Sequence, residues 1–150
     1  RYGEIDNMKH FVILANDLPF KENNTTAPRT EMRFDNITNY NKSYLFHMNF
    51  YAPELTSNCV IFQILTNQGP ILQLRLKGGQ IRMAGIYYIN GVKYNDWNTL
   101  HLCINFTDSK TYTINFVFNG KKWSNESSIA SVINDFTFYF KCGVYNLKGY

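Results

Sequence analysis

Residues 136–145 read Phe136-Thr137-Phe138-Tyr139-Phe140-Lys141-Cys142-Gly143-Val144-Tyr145. In an extended strand successive side chains point to opposite faces. Phe136, Phe138, Phe140, Cys142 and Val144 then form one apolar row, and Thr137, Tyr139, Lys141, Gly143 and Tyr145 form the other. The apolar row requires a hydrophobic layer to pack against. The second row sets a cation between two phenols, which suits a groove for an anionic, hydroxyl-rich ligand and equally an ordinary solvent-facing surface.

The same period recurs along the chain. Tyr44, Phe46, Met48 and Phe50 alternate with Leu45, His47 and Asn49, and Leu72, Leu74 and Leu76 alternate with Gln73, Arg75 and Lys77 up to Gly78-Gly79. Leu100 to Phe106 and Tyr112 to Phe118 repeat the pattern, with Asn119-Gly120 and Asn90-Gly91 as type I′ turn signals. The polar stretch from Lys21 to Pro28 reads as a loop. Helical periodicity is confined to one short candidate, Ser127 to Asn134. Many short strands with regular turns predict an all-β antiparallel sandwich or jelly roll, one domain over residues 1–150, and Trp97 followed by the Leu100–Phe106 strand and the Thr111–Phe118 hairpin resembles the concanavalin type of sandwich.

A chain of 150 residues, 45% of them hydrophobic and 17% aromatic, can bury a core without disulfide staples. No apolar run approaches the roughly 20 residues that span a bilayer, so no membrane span is expected. The net charge of +4 permits a polyanionic partner, but the basic residues form no dense run of the kind that binds nucleic acid. Cys59, Cys103 and Cys142 cannot all pair, and no spacing resembles a metal site, so neither a metal nor a cofactor is expected. Cys142, on the apolar row, reads as a buried free thiol, while Cys59 and Cys103 could bridge.

Two further segments join the first. Arg29-Thr30-Glu31-Met32-Arg33 puts Arg29, Glu31 and Arg33 on one strand face, and Val60-Ile61-Phe62-Gln63-Ile64-Leu65 holds a single amide in an apolar run. In that order, RTEMR, FQIL and YFKCGVYN resemble the three signature strands of polysaccharide lyase family 7, the alginate lyases, and their glucuronan-lyase relatives. The resemblance covers residues 29 to 145. It implies a jelly roll whose concave face binds an acidic, uronic-acid polysaccharide and cleaves it by β-elimination.

Such an elimination needs the uronate carboxylate neutralised, the C5 proton removed and the leaving oxygen protonated. The resemblance assigns neutralisation to Gln63 and Arg29, and Tyr139 is the expected proton carrier. Arg33, Lys141 and Tyr145 are expected to bind substrate, with Arg75 and Lys77 extending the basic face and Arg82 close in sequence. One departure stands out. The family carries a histidine where this chain has Leu65, and leucine transfers no proton. His47 or His101 could replace it in space. Otherwise Tyr139 must act alone, which implies same-side elimination with a preference for polymannuronate-type linkages, or catalysis is lost.

The rival expectation is a non-catalytic structural or surface glycoprotein, such as a viral coat or lectin-like domain. Asn23, Asn24, Asn36, Asn41, Asn105 and Asn125 lie in N-x-S/T sequons, which would be glycosylated on a secretory route. The expected location is accordingly secreted, extracellular or on a virion surface. Family domains continue past the Tyr139 strand with a closing strand. In this chain either Lys9 to Leu14 covers that position, or an open sheet edge invites self-assembly.

Overall fold

The computed structural model describes residues 2–14, 17–18, 27–34, 42–54, 56, 58–66, 69–83, 87–106, 111–128 and 137–146, except the side chains of residues 87, 111, 124–128 and 146. In chain order the first six strands are β1 (Tyr2–Ile5), β2 (Met8–Phe11), β3 (Arg29–Arg33), β4 (Ser43–Ala52), β5 (Cys59–Thr66) and β6 (Gly69–Lys77). They are followed by β7 (Gln80–Met83), β8 (Tyr87–Asn90), β9 (Asp96–Phe106), β10 (Thr111–Phe118), β11 (Lys121–Ser128) and β12 (Phe138–Asn146). There is no helix among the described residues.

β1 and β2 make a hairpin of their own, β11-β10-β9-β4 a four-stranded sheet, and β3-β12-β5-β6-β7-β8 a six-stranded sheet. Every strand pair is antiparallel. The chain is an all-β sandwich of the jelly-roll kind, as the period of two predicts.

Each sheet turns its apolar row inward. Phe138, Phe140 and Cys142 of β12, Leu72, Leu74 and Leu76 of β6 and Phe62 and Ile64 of β5 meet Leu100, Leu102, Ile104 and Phe106 of β9 and Ile114, Phe116 and Phe118 of β10. Aromatic rings stitch the layers: Phe106 to Phe138 at 4.5 Å, Phe46 to Phe62 at 4.6 Å and Tyr44 to Phe138 at 5.4 Å between centroids. Burying each such ring contributes on the order of 2–3 kcal/mol. Tyr112 reaches across and donates its hydroxyl to the carbonyl of Ile71 at 3.1 Å.

Three of the tight turns use positive φ. Asn119-Gly120 joins β10 to β11 as expected, with φ of 46° and 80°. Gly78-Gly79 joins β6 to β7, and Asp6-Asn7, which carries no glycine signal, joins β1 to β2. Asn90-Gly91 corrects the hairpin expectation. The Gly91 and Val92 amides both donate back to the Gly79 carbonyl, and the chain leaves the six-stranded sheet to enter the other at β9. The candidate helix from Ser127 lies largely outside the described residues, its first two positions closing β11. Most of the Lys21–Pro28 loop also lies outside them.

The cysteines do not bridge. Cys59 and Cys142 point into the core while Cys103 sits on the outer face of the four-stranded sheet, so the Cys59–Cys103 pairing is excluded by placement. The N-terminal hairpin does not pair with β3. Instead the Thr30 hydroxyl meets the carbonyl of Val12 at 3.5 Å, and no described strand pairs with the outer edge of β3.

Gly143 marks where β12 shifts register on β5, between Cys142 and Tyr145. Its φ is +142°, and a Cβ there would press on the Thr30 carbonyl and lie 2.7 Å from the Glu31 Cα and 3.0 Å from the Phe11 ring. The first two obstacles are backbone of the neighbouring strand and cannot swing aside. Gly143→Ala is expected to destabilise the chain by about 3 kcal/mol or more, read as a lower urea midpoint; an unchanged midpoint refutes the bulge geometry. Burial pushes the Cys59 and Cys142 thiols up to about 11. At pH 8 a disulfide reagent should therefore modify one thiol per native chain quickly, Cys103, and all three after denaturation.

Candidate functional site

Because the six-stranded sheet buries one row of each strand, the alternate row is displayed on its outer face. β3 contributes Arg29, Glu31 and Arg33, and β12 contributes Tyr139, Lys141 and Tyr145. β5 contributes Gln63 and Leu65, β6 Gln73, Arg75 and Lys77, and β7 Gln80 and Arg82. The pairing register aligns them in rows across the strands. Arg33, Lys141, Gln63 and Gln73 form one row, and Arg29 and Tyr145 are paired four residues further along their strands. The sequence-predicted Arg29, Arg33, Gln63, Arg75, Lys77, Tyr139, Lys141 and Tyr145 thus all belong to a single face.

Glu31, on the edge strand β3, reaches inward across it. Its side chain is only 4% exposed; Oε1 accepts a hydrogen bond from the Gln63 amide and Oε2 lies 3.6 Å from the Lys141 ammonium. Gln63 is itself 1% exposed, and its carbonyl accepts from Gln73 Nε2 at 2.8 Å. Gln73 in turn accepts from Arg75 at 2.8 Å. This chain of bonds crosses β3, β5 and β6, with Lys141 entering from β12. Gln63 is therefore not an open donor on the surface. It is a buried link whose amide is engaged at both ends, positioning Glu31 and Gln73.

The tyrosines carry the cations. The Arg33 guanidinium lies over the Tyr139 ring at 3.8 Å and the Arg29 guanidinium over the Tyr145 ring at 4.2 Å, with Lys141 6.0 Å from the Tyr139 centroid. Such contacts contribute about 0.5–1 kcal/mol each and hold the guanidinium planes in place. Leu65 pairs with Tyr139 across β5 and β12, so a side chain that transfers no proton is the neighbour of the candidate proton carrier.

On the far side of the face, Arg75 stands opposite Arg82, two like charges in directly paired positions. Gln73 and Gln80 each take one hydrogen bond from them, at 2.8 Å. Like charges so placed repel unless an anion lies between them. Among the described residues, the Nε of Arg29 and of Arg75 and Glu31 Oε2 are buried without a hydrogen-bond partner. The sequence does not mark Gln80, because a four-residue strand carries too little alternation to assign a face.

One expectation is corrected here. His47 and His101 lie on the outer face of the other sheet, paired across β4 and β9, and cannot stand in for the missing histidine beside Tyr139. The sandwich core separates them from it. Among the sequons, Asn105 is half-buried on β9, with the Cys103 sulfur 3.6 Å from its Oδ1. The Asn125 side chain and all of Asn23, Asn24, Asn36 and Asn41 lie outside the described residues.

No protein-family model matches this chain. A citrate-binding protein of Hevea brasiliensis is 29% identical over 153 residues, taking in 97% of this chain. The chain spans 59% of that protein's length. Among solved structures, an alginate lyase of polysaccharide lyase family 7 superposes with a TM-score of 0.51 at 21% identity, over 83% of this chain and 60% of the lyase. The alginate lyase of a Corynebacterium species gives 0.47 at 18% identity, over 69% of this chain and 44% of that one. The chain shares the jelly-roll fold of the family 7 lyases at this distant level.

Removing the Glu31 carboxylate leaves Gln63 without its acceptor and Lys141 without its counter-charge. Glu31→Ala is expected to cost about 2–3 kcal/mol, discounted because Lys141 is 20% exposed and can rehydrate. Glu31→Gln, which keeps an acceptor for Gln63, should cost less than half of that in urea denaturation. Equal losses in the two variants would show that the hydrogen bond to Gln63 contributes nothing.

Proposed function

We propose that the outer face of the six-stranded sheet binds an extended acidic polysaccharide, a uronan, and that it works chiefly as a binding surface. The observation that carries this reading is the charge layout. Among the described residues the face holds six cations, Arg29, Arg33, Arg75, Lys77, Arg82 and Lys141, against one carboxylate, Glu31, which is buried. Six strands at about 4.8 Å spacing make the face about 24 Å wide. Arg29 and Arg33 lie at one side and Arg75 and Arg82 towards the other. A ligand with carboxylates repeated along its length can engage both groups at once, while the rings of Tyr139 and Tyr145 offer flat surfaces to sugars.

Leu65 beside Tyr139 supports weak or absent cleavage. Where cleavage does occur, Tyr139 has to serve as both base and acid. The phenol must take the C5 proton and return one to the leaving oxygen on the same side of the ring, which favours polymannuronate-type linkages. The Arg33 guanidinium over the phenol would hold a uronate carboxylate next to that proton.

A second reading has its own support. The rubber-tree relative, similar along nearly the whole of this chain, is a citrate-binding protein. The opposed Arg75 and Arg82 could take a single small polycarboxylate between them.

Calorimetric titration with oligouronates, citrate and neutral glucans separates the readings. Oligouronate binding is expected to strengthen with chain length, to weaken as salt rises, and to fall about tenfold or more in Arg29→Ala and in Arg75→Ala alike. Citrate bound more tightly than any oligouronate, with loss in Arg75→Ala only, would favour the small acid. Neutral glucans binding as well as uronans, with no salt dependence, would overturn both. In an assay of unsaturated ends, any turnover should vanish in Tyr139→Phe with binding kept.

A further inference from the structure

The outer face of the four-stranded sheet carries a second group of chemistry-bearing side chains, remote from the cationic face. β4 and β9 pair so that His47 stands directly opposite His101. Their Nδ1 atoms lie 2.9 Å apart, with ring centroids 4.3 Å apart and planes crossed at 71°. Both imidazoles are exposed. They line a hollow of about 650 Å³ together with Leu45, Cys103, Asn115, Val117 and Trp123.

We propose that His47 and His101 form a two-imidazole site for a divalent transition-metal ion of tetragonal preference, Cu(II) before Ni(II). Two nitrogens each about 2.05 Å from a shared ion subtend about 90° when they are 2.9 Å apart. That is the angle between neighbouring positions of a square-planar or octahedral ion. A tetrahedral Zn(II) needs its nitrogens about 3.3 Å apart, so it fits the pair less well. Imidazole is a suitable donor for all three metals, and Cu(II) heads the affinity order of the divalent series.

Each ring would ligate as neutral imidazole through Nδ1, with its proton on Nε2. One Nδ1 donates to the other across the 2.9 Å contact; on binding, the donating ring changes tautomer, its proton passing through solvent to Nε2, and the ion sits beside the Nδ1–Nδ1 line on the two freed lone pairs, with no change of oxidation state. The β-sheet supplies the preorganisation. Two ligands fixed opposite each other on paired strands lose little freedom on binding. Among the described residues no group of three or more ligating side chains surrounds an ion here, so the remaining positions fall to water or to an outside donor. Affinity in the micromolar range follows, not that of a closed structural site.

The test is titration of the full chain with Cu(II), followed by calorimetry and electron paramagnetic resonance. One ion per chain is expected, with the splitting pattern of two equatorial nitrogens, and with Cu(II) bound more tightly than Zn(II). His47→Asn and His101→Asn should each weaken binding more than about tenfold, while their far-UV spectra match the wild type. His10→Asn and Cys103→Ser, which alter the third histidine and the nearby thiol, should bind as the wild type does. The inference is overturned if His47→Asn and His101→Asn both retain wild-type affinity, if His10→Asn abolishes the signal, or if Zn(II) binds more tightly than Cu(II).

Discussion

Burying Phe138 between Tyr44 and Phe106 fixes which side of β12 faces inward, and the candidate functional face follows from that choice. A strand has two sides and a period of two, so committing Phe138, Phe140 and Cys142 to the core commits Tyr139, Lys141 and Tyr145 to the outside. A slip of one residue would bury a lysine and two phenols and expose two phenylalanines. The aromatic layer between the sheets therefore specifies which side chains form the outer cationic surface as well as stability.

The outer face has its own constraint, a charge that cannot be left alone. Glu31 is nearly inaccessible, and its carboxylate is acceptable there only because Gln63 and Lys141 meet it from two neighbouring positions on the sheet. The link orders the long side chains around it, since Gln63 orients Gln73 and Gln73 orients Arg75. Cations spread over four strands are thus held in defined positions, with one buried carboxylate offsetting part of their repulsion. The Gln63 amide is in this way a link in the scaffold that holds a cationic surface.

Fold and chemistry separate at Leu65. The jelly roll is shared with a family 7 alginate lyase at 21% identity, a level that speaks for architecture alone. The neighbour of Tyr139 is a leucine, and the two histidines that could have moved in stand on the other sheet. A surface that carries cations and phenols, with a leucine and no histidine next to Tyr139, is the physical basis for placing binding ahead of cleavage in the proposed function.

Strand alternation is local, so the sequence by itself determined the fold class, the inward rows of β4, β6, β9, β10 and β12, the Asn119-Gly120 turn and the burial of Cys142. The same alternation placed Arg29, Arg33, Tyr139, Lys141 and Tyr145 on outward rows, because polar residues at every second position cannot belong to a core. It could not show that Gln63 is buried beneath its neighbours. That depends on Glu31, 32 residues away in the chain, reaching it from another strand. Nor could it show that Asn90-Gly91 ends a sheet, that Cys59 and Cys103 face different environments, or that His47 meets His101 across 54 residues. Those outcomes rest on which strands pair and in what register, and pairing is set by the packing of the two sheets over a common core.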